Sequence, residues 1–349
     1  MPGRVAVVNW AQSADGIAQA IAHALAALGY EPVHFRHGDR PPAADVVFSY
    51  APYGPVLPLA QRIAQLPAAA RPLFVHWNTE GMPDLRLPRP IMRALSSLRS
   101  AYGRWSTAPD GEPKPQFRRP PLSWLDRRFL RYRYVGDYHY AHAHGWLNTF
   151  ADTSAVYAAI HNRQGLPAQV APWGASPLWY ADLGLARDID VLWMGKYASR
   201  RRRHILQQVR QELGRHGVEM LMLDNEEHPF VFGDERTRLL NRTKIVLNVT
   251  RTWYDDNLLR FVLAAPNRAL VLSEPILPHC PAFKPGVHYV EAPISQLAQA
   301  VLRYLRHEDE RRAIAQNAFQ LTTMQMSFRK SVASIMDAVE RWAAGLSPK

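Results

Sequence analysis

Short apolar runs alternate with amphipathic helical stretches along this chain, in two separate series, and this alternation limits the folds open to it more than any other feature. The first series opens with Arg4–Trp10, an apolar run of strand length. Ser13 then precedes a helix with Ile17, Ile21, Leu25 and Leu28 on its inner side, closed by Gly29. Glu31–Phe35, Asp45–Tyr50 and Pro72–Trp77 are further runs, the last two separated by a helical stretch over Leu57–Leu66. Strands joined through helices close as right-handed crossovers, which predicts a parallel sheet. The Pro-rich stretch Pro83–Pro121 breaks the rhythm and reads as an insertion or lid. Order resumes at Trp146–Phe150 and a helix near Thr153–Arg163.

Three prolines and two glycines within Gly165–Pro177 mark a connector. The second series follows: strands at Asp190–Met194, Val218–Leu223, Lys244–Val249 and Ala269–Ser273. Helices are expected at Arg201–Gly214, Glu235–Asn241, Asn257–Ala265 and Ser295–Leu305. In a last helix, Phe328, Val332, Ile335, Val339 and Trp342 share one stripe. The fold class expected is α/β, two Rossmann-like doubly wound domains facing across a cleft. The N-terminal domain spans 1–170 with a basic, Pro-rich insertion about 83–135. The C-terminal domain spans 171–325, and 326–349 is a helix packing back on the first domain. Ligands of such sheets bind at the carboxyl ends of the strands.

Composition narrows the function. At 349 residues, 47% of them hydrophobic, the chain is long enough for two cored domains and too apolar for a disordered polymer. Cys280 is the one cysteine, which excludes a disulfide framework or a multi-cysteine metal site. No apolar run approaches the roughly 18 residues of a membrane span. Gln12, Ser13 and Asp15 interrupt any signal-peptide core. A cytoplasmic protein is expected. The net charge of +12 is concentrated: residues 86–133 hold twelve Arg and Lys against three Asp and Glu, interleaved with six aromatics and followed by Tyr134. Either this is a solvated Arg-rich surface, or it meets an anionic lipid head group or polyanionic acceptor, peripheral to the inner face of the membrane. Nucleic acid ranks last, because no nucleic-acid module motif accompanies the charge.

Two segments carry the chemistry expected of a phosphate site. In Trp193-Met-Gly-Lys-Tyr-Ala-Ser-Arg-Arg-Arg-Arg203 a strand ends at Gly195, a loop follows, and four arginines lead into a helix. Gly195 admits close backbone approach, the helix start offers free N–H groups, and Lys196 with Arg200 or Arg201 supplies charge for a pyrophosphate. Lys196 and Arg200 are the favoured pair; a merely solvated Arg cluster is the competing reading. The strand Lys244–Val249 delivers Asn248 and Arg251 at its carboxyl end, with Asp256, Asn257 and Arg260 following. These groups suit phosphate, sugar hydroxyl or base, whereas Asp256 also suits a plain helix cap.

In the first domain Asp15, His76 and Glu80 sit at strand ends and are the candidate general bases toward an acceptor hydroxyl. Each also has a structural reading: Asp15 as a helix-start residue, His76 as a packing residue, Glu80 as a loop carboxylate. Asp188-Ile-Asp190 resembles a metal-binding DxD but precedes a parallel strand, so it reads as strand-start polarity. His139, His142 and His144 match no common metal spacing, so no metal site is expected. The absence of Gly-x-Gly-x-x-Gly disfavours a nicotinamide dehydrogenase.

Leu239–Val249, Asn257-Leu-Leu-Arg-Phe261, Ala269–Glu274, Phe283–Val290 and Arg311–Ala315 occur in an order that resembles the donor half of GT-B glycosyltransferases, in the group of the CgeB-like proteins. Phe150–Ser154 and Ala171–Gly174 also resemble that group. The resemblance implies a hexosyltransferase-type enzyme that needs no cofactor or metal. It would move sugar from a nucleotide-diphosphate sugar, held by Gly195, Lys196, Arg200, Asn248, Arg251, Asn257 and Arg260. The acceptor would be a hydroxyl, lipid-linked or on a cell-envelope glycan. The sequence departs from the family where an acidic residue should grip the donor ribose, which is Leu263, and where a Gly should stand, which is Arg268. Either another residue such as Glu274 replaces the ribose contact, or the chain is a catalytically impaired sugar-nucleotide or glycan binding protein.

Overall fold

The computed structural model describes residues 3–9, 16–50, 56–108, 112–123, 129–255, 258–277 and 283–346. Asp15, Asp256 and Asn257 lie outside the described residues. The chain is α/β, with two parallel sheets and helices interleaved between their strands.

The first sheet contains β1 (Arg4–Asn9), β2 (Glu31–Arg36), β3 (Val46–Tyr50), β4 (Leu73–Asn78), β5 (Thr149–Asp152) and β6 (Ala168–Val170) in the spatial order β2-β1-β3-β4-β5-β6. Every pairing is parallel, as the helical crossovers require. Val5–Val8 and Val46–Phe48 are buried on both faces of the sheet, which is why these strands read as continuous apolar runs. This compact unit also takes in the chain from Val332 onward, and Tyr30 there donates to Glu340 at 2.8 Å.

The stretch read as a Pro-rich insertion is the β4–β5 crossover itself. Its described residues include the helices Arg89–Ser106 and Leu130–Ala143, packed on each other. Pro88 and Pro90 sit at the start of the first, where a missing N–H costs nothing. The two helices approach so closely at Gly136 that a Cβ there would lie 2.1 Å from the Ser96 carbonyl oxygen. Part of the positive charge is consumed inside this pair. Buried Arg133 donates to Thr107 at 2.7 Å and faces Asp137 at 3.5 Å, and Asp137 accepts from Ser100 at 2.6 Å.

The second unit comprises mainly Pro172–Ser331. Its sheet contains β7 (Ile189–Met194), β8 (Met220–Leu223), β9 (Thr243–Asn248), β10 (Leu270–Ser273) and β11 (Val290–Glu291), in the order β11-β10-β9-β7-β8. Val191, Trp193, Leu247 and Leu272 face Ile205, Val209, Leu297 and Val301 from the flanking helices in one apolar core. From β7 the chain steps outward to β8, then crosses back to β9 on the other side. The strand order therefore reverses between β7 and β9, and this is the place where open parallel sheets leave a crevice.

Candidate functional site

The residues after β7 and β9 stand at that reversal. The loop after β7 is held open by backbone geometry: Gly195 has φ +132° and Ala198 φ +57°. A side chain at Gly195 would also meet the Arg260 guanidinium, whose Nη2 lies 2.6 Å from the Cβ position. Glycine is required there on both counts. Ser199 then caps the 16-residue helix Arg200–Arg215: its hydroxyl accepts from the Arg202 amide at 3.2 Å and donates to the Arg251 carbonyl at 3.1 Å. One serine thus couples the loops following β7 and β9. The helix start adds its partial positive charge to the site.

The four arginines of the run take four different roles. Arg200 is exposed, as is Lys196. Arg202 is buried and donates to the Lys196 carbonyl at 3.1 Å, bracing the loop from within. Arg203 turns outward to Glu226 and over the Tyr197 ring. Arg201 points to the end of β10, where Glu274 receives it in a two-pronged pair, one bond of which is 3.1 Å. Glu274 is 2% exposed and also accepts from the Thr250 amide at 2.7 Å and hydroxyl at 2.9 Å. Its carboxylate is therefore occupied as the anchor of Arg201, not free for a ribose hydroxyl.

Asn248 and Arg260 lie beneath this edge. Buried Arg260 donates to the Met194 carbonyl at 2.7 Å and to Asn248 Oδ1 at 3.0 Å, with Trp193 at 4.1 Å below its guanidinium. Burial, then the charges of Arg202 and Arg251, push its pKa down. Arginine nonetheless stays charged in proteins, and the carbonyl, amide and indole offset its desolvation. Asn248 Nδ2 donates to Ser273 Oγ at 2.9 Å. Arg251 is partly exposed, its amide donating to Asp255 at 3.1 Å.

The structure thus gathers Gly195, Lys196, Arg200, Asn248, Arg251 and Arg260 of the expected set at the carboxyl ends of β7 and β9. It adds Ser199 and Thr250, and brings in Arg201, the alternative to Arg200, and Glu274, here as the anchor of Arg201. Among these, Arg201 rather than Arg200 is the arginine held in place. The helical phase that separates the two follows from the Ser199 cap, a signal present in the sequence.

Arg268 requires a correction. It does not stand beside the loop expected to hold phosphate, because it precedes β10 and so lies at the amino edge of the parallel sheet, opposite Gly195. Its φ of +55° explains why a glycine suits the position. Its guanidinium is spent on Asp182 at 2.9 Å, on Gln316 at 3.2 Å and over the Phe319 ring. Leu263 is buried at 6% exposure, in the helix Leu259–Ala264.

In the first unit His76 is a core residue and not a base at an edge. It is 0% exposed, lies 3.1 Å from Ser49 Oγ and packs against Tyr138 and Phe150. Burial pushes its pKa down to about 3, so it is neutral and enclosed. Glu80 follows the end of β4 and is partly exposed, 3.9 Å from Arg131 Nε, with its amide tied to Asn78. Asp188 and Asp190 pair with Arg242 and Lys244, both bonds 2.6 Å. Among the described residues no group of three or more His, Cys, Asp or Glu is placed to hold a metal ion. No described helix is long and apolar enough to cross a membrane.

Residues 200–337 match the family model described as glycosyl transferase-like. No curated protein matches the sequence. In three dimensions the chain is similar to the sucrose-phosphate synthase of Thermosynechococcus elongatus, with TM-score 0.58 and 12% identity over 98% of this chain and 100% of that one. It is similar to Anabaena HepE, solved in complex with UDP and glucose, with TM-score 0.57 and 10% identity over 97% and 99% of the two chains. It is also similar to AviGT4, a glycosyltransferase involved in avilamycin A biosynthesis, with TM-score 0.57 and 16% identity over the whole of both chains. The fold is that of the GT-B glycosyltransferases.

Proposed function

We propose that this chain is a hexosyltransferase-type glycosyltransferase that moves a sugar from a nucleotide-diphosphate sugar to a hydroxyl acceptor without a metal ion. The observation that carries the reading is the cationic edge at the β7–β9 reversal. There Lys196, Arg200 and the Glu274-anchored Arg201 surround a glycine loop and a helix start. Such an edge suits a pyrophosphate, because fixed cations and backbone N–H groups stabilise the charge that builds on the leaving diphosphate. Those cations supply the positive charge that a divalent ion would otherwise bring. The UDP and glucose held by HepE make UDP-glucose the first donor to test. The order of motifs over residues 239–315 supports the CgeB-like branch.

Glu80 is the acceptor-side residue of this reading. It is a partly exposed carboxylate just past β4, of the chemistry that takes a proton from an incoming hydroxyl. A lipid-linked carrier or an envelope glycan fits as acceptor.

A second reading follows from Leu263 and Glu274. The expected ribose carboxylate is a buried leucine, and the one at the end of β10 is committed to Arg201 and Thr250. On that reading the chain binds sugar nucleotides without turning them over.

Thermal unfolding in the presence of UDP-, GDP- and TDP-sugars, with and without EDTA, tests both. A donor should raise the midpoint, and Lys196→Ala should reduce the rise while leaving the unliganded protein unchanged. No shift with any nucleotide would sink both readings. A shift with neither transfer nor hydrolysis across a broad acceptor panel would leave the binding protein.

A further inference from the structure

The 18-residue helix Arg89–Ser106 has its amphipathicity turned inside out. The residues it buries are Met92, Ser96, Arg99, Ser100, Gly103 and Ser106, small or polar apart from one methionine. They meet an equally polar partner face, where Ser100 donates to Asp137 and Gly103 lies against Arg133. On the outside stand Ile91, Leu95, Leu98 and Trp105, which are 49%, 41%, 68% and 60% exposed. Their spacing of four, three and seven residues confines them to one arc of about 80° around the helix. A helix whose apolar stripe faces away from the core it packs on is made to be covered by something else.

The charge around the stripe identifies the cover. Lys114 donates to the Trp105 carbonyl at 2.7 Å, and Phe117 packs edge-on to Trp105 with ring centres 4.7 Å apart. This fixes the exposed Arg118 next to the C-terminal end of the stripe. Arg89 and Arg93, exposed on the same helix, lie about 160° around it from the stripe, so the cations beside the stripe are Lys114 and Arg118 at its C-terminal end. Among the described residues from Arg86 to Arg119 the one carboxylate is Glu112. An apolar stripe with cations beside it matches an anionic bilayer, where leucines enter the acyl boundary, guanidinium groups reach phosphates and a tryptophan sits at the interface.

We propose that the outer face of helix Arg89–Ser106 docks this protein on an anionic lipid surface. The helix lies in the plane of the interface and does not cross it. This inference stands on the helix alone and holds whichever reaction the chain performs.

The test is co-sedimentation of the full chain with vesicles of phosphatidylcholine alone and of equal parts phosphatidylcholine and phosphatidylglycerol. Binding is expected to the mixed vesicles and to fall with added salt. Leu95→Ser with Leu98→Ser should weaken it about tenfold or more, because both side chains leave the acyl boundary. The thermal midpoint should hold, since neither leucine is in the core. Arg118→Gln should weaken binding to the mixed vesicles only. The proposal is overturned if the wild type stays in the supernatant, or if the leucine variant sediments as well as wild type. Light scattering that shows a dimer abolished by Leu98→Ser, without vesicle binding, would overturn it too and assign the face to a second copy.

Discussion

Glu274, at the end of β10, holds Arg201, on the first turn of helix Arg200–Arg215, by a two-pronged ion pair that spans 73 positions of sequence. The same carboxylate takes both polar groups of Thr250 from the loop after β9. Three segments at the carboxyl edge of the sheet are therefore fixed by one buried acid. Glu274→Gln keeps the shape and removes the charge, leaving Arg201, 31% exposed, with the Thr250 carbonyl at 3.0 Å but no counter-ion. Because Arg201 retains some water, the cost is expected at about 1–3 kcal/mol, below the range for a fully buried pair. Denaturant unfolding checks this, and titration with UDP should show affinity reduced about tenfold. Wild-type values for both would mean that the helix and the Thr250 carbonyl suffice to orient Arg201.

Gly195 is where backbone and side-chain constraints coincide. With φ +132° and the Arg260 Nη2 2.6 Å from a Cβ position, Gly195→Ala strains the loop and pushes the guanidinium from Asn248. Destabilisation of about 1–3 kcal/mol is expected from the clash alone. Nucleotide binding should fall further than stability, because the displaced Arg260 sits beneath the edge proposed to hold the diphosphate. Thermal unfolding with and without UDP separates the two effects.

The sheets were largely legible because buried parallel strands are apolar runs, and those of Val5–Val8, Ile245–Leu247 and Leu270–Leu272 have no other reading. The helix Arg89–Ser106 was not legible. Its inward residues besides Met92 are serines, a glycine and an arginine, so a pattern search that puts apolar residues inside would turn Ile91, Leu95, Leu98 and Trp105 to the core and orient the helix wrongly. His76 was misread for a similar reason: a strand-end histidine gives no sign that Tyr138, from a helix 62 positions later, closes over it. The choice between Arg200 and Arg201 turns on helical phase and on Glu274, a contact no local window contains. Arg268 was placed on the wrong edge because a motif position carries no direction until the strand it precedes is oriented.

That correction makes a prediction of its own. Arg268→Gly relieves the positive φ but removes the Asp182 pair, the Gln316 bond and the stacking on Phe319. These are partly exposed contacts, so gain and loss should leave stability within about 1 kcal/mol of wild type. Nucleotide affinity should remain within about twofold, since the position lies at the amino edge of the sheet, across its length from Gly195. A large change in UDP affinity would restore Arg268 to the donor site.

His161 gives the fold a defined acid sensitivity. It is 0% exposed, ringed by His139, Tyr138 and Phe150, with Asp152 Oδ2 3.9 Å from Nε2. Burial, and then the charge of His139, lower its pKa from 6.5 to about 3. Between those two values the unfolded chain binds a proton that the folded chain does not. Stability is therefore lost as pH falls below 6.5, by about 2 kcal/mol for this one group at pH 5. His76, lowered to about 3 by burial, adds a second loss of the same sign. Asp137, raised by burial against the pull of Arg133, acts in the opposite sense, because its folded form takes up a proton more readily than the unfolded chain. His161→Phe preserves the ring packing and cannot titrate. Urea unfolding at pH 7.5 and pH 5 should show the variant losing about 2 kcal/mol less than wild type over that interval. Equal losses in both would mean that His161 is protonated inside the fold, with Asp152 as its counter-ion.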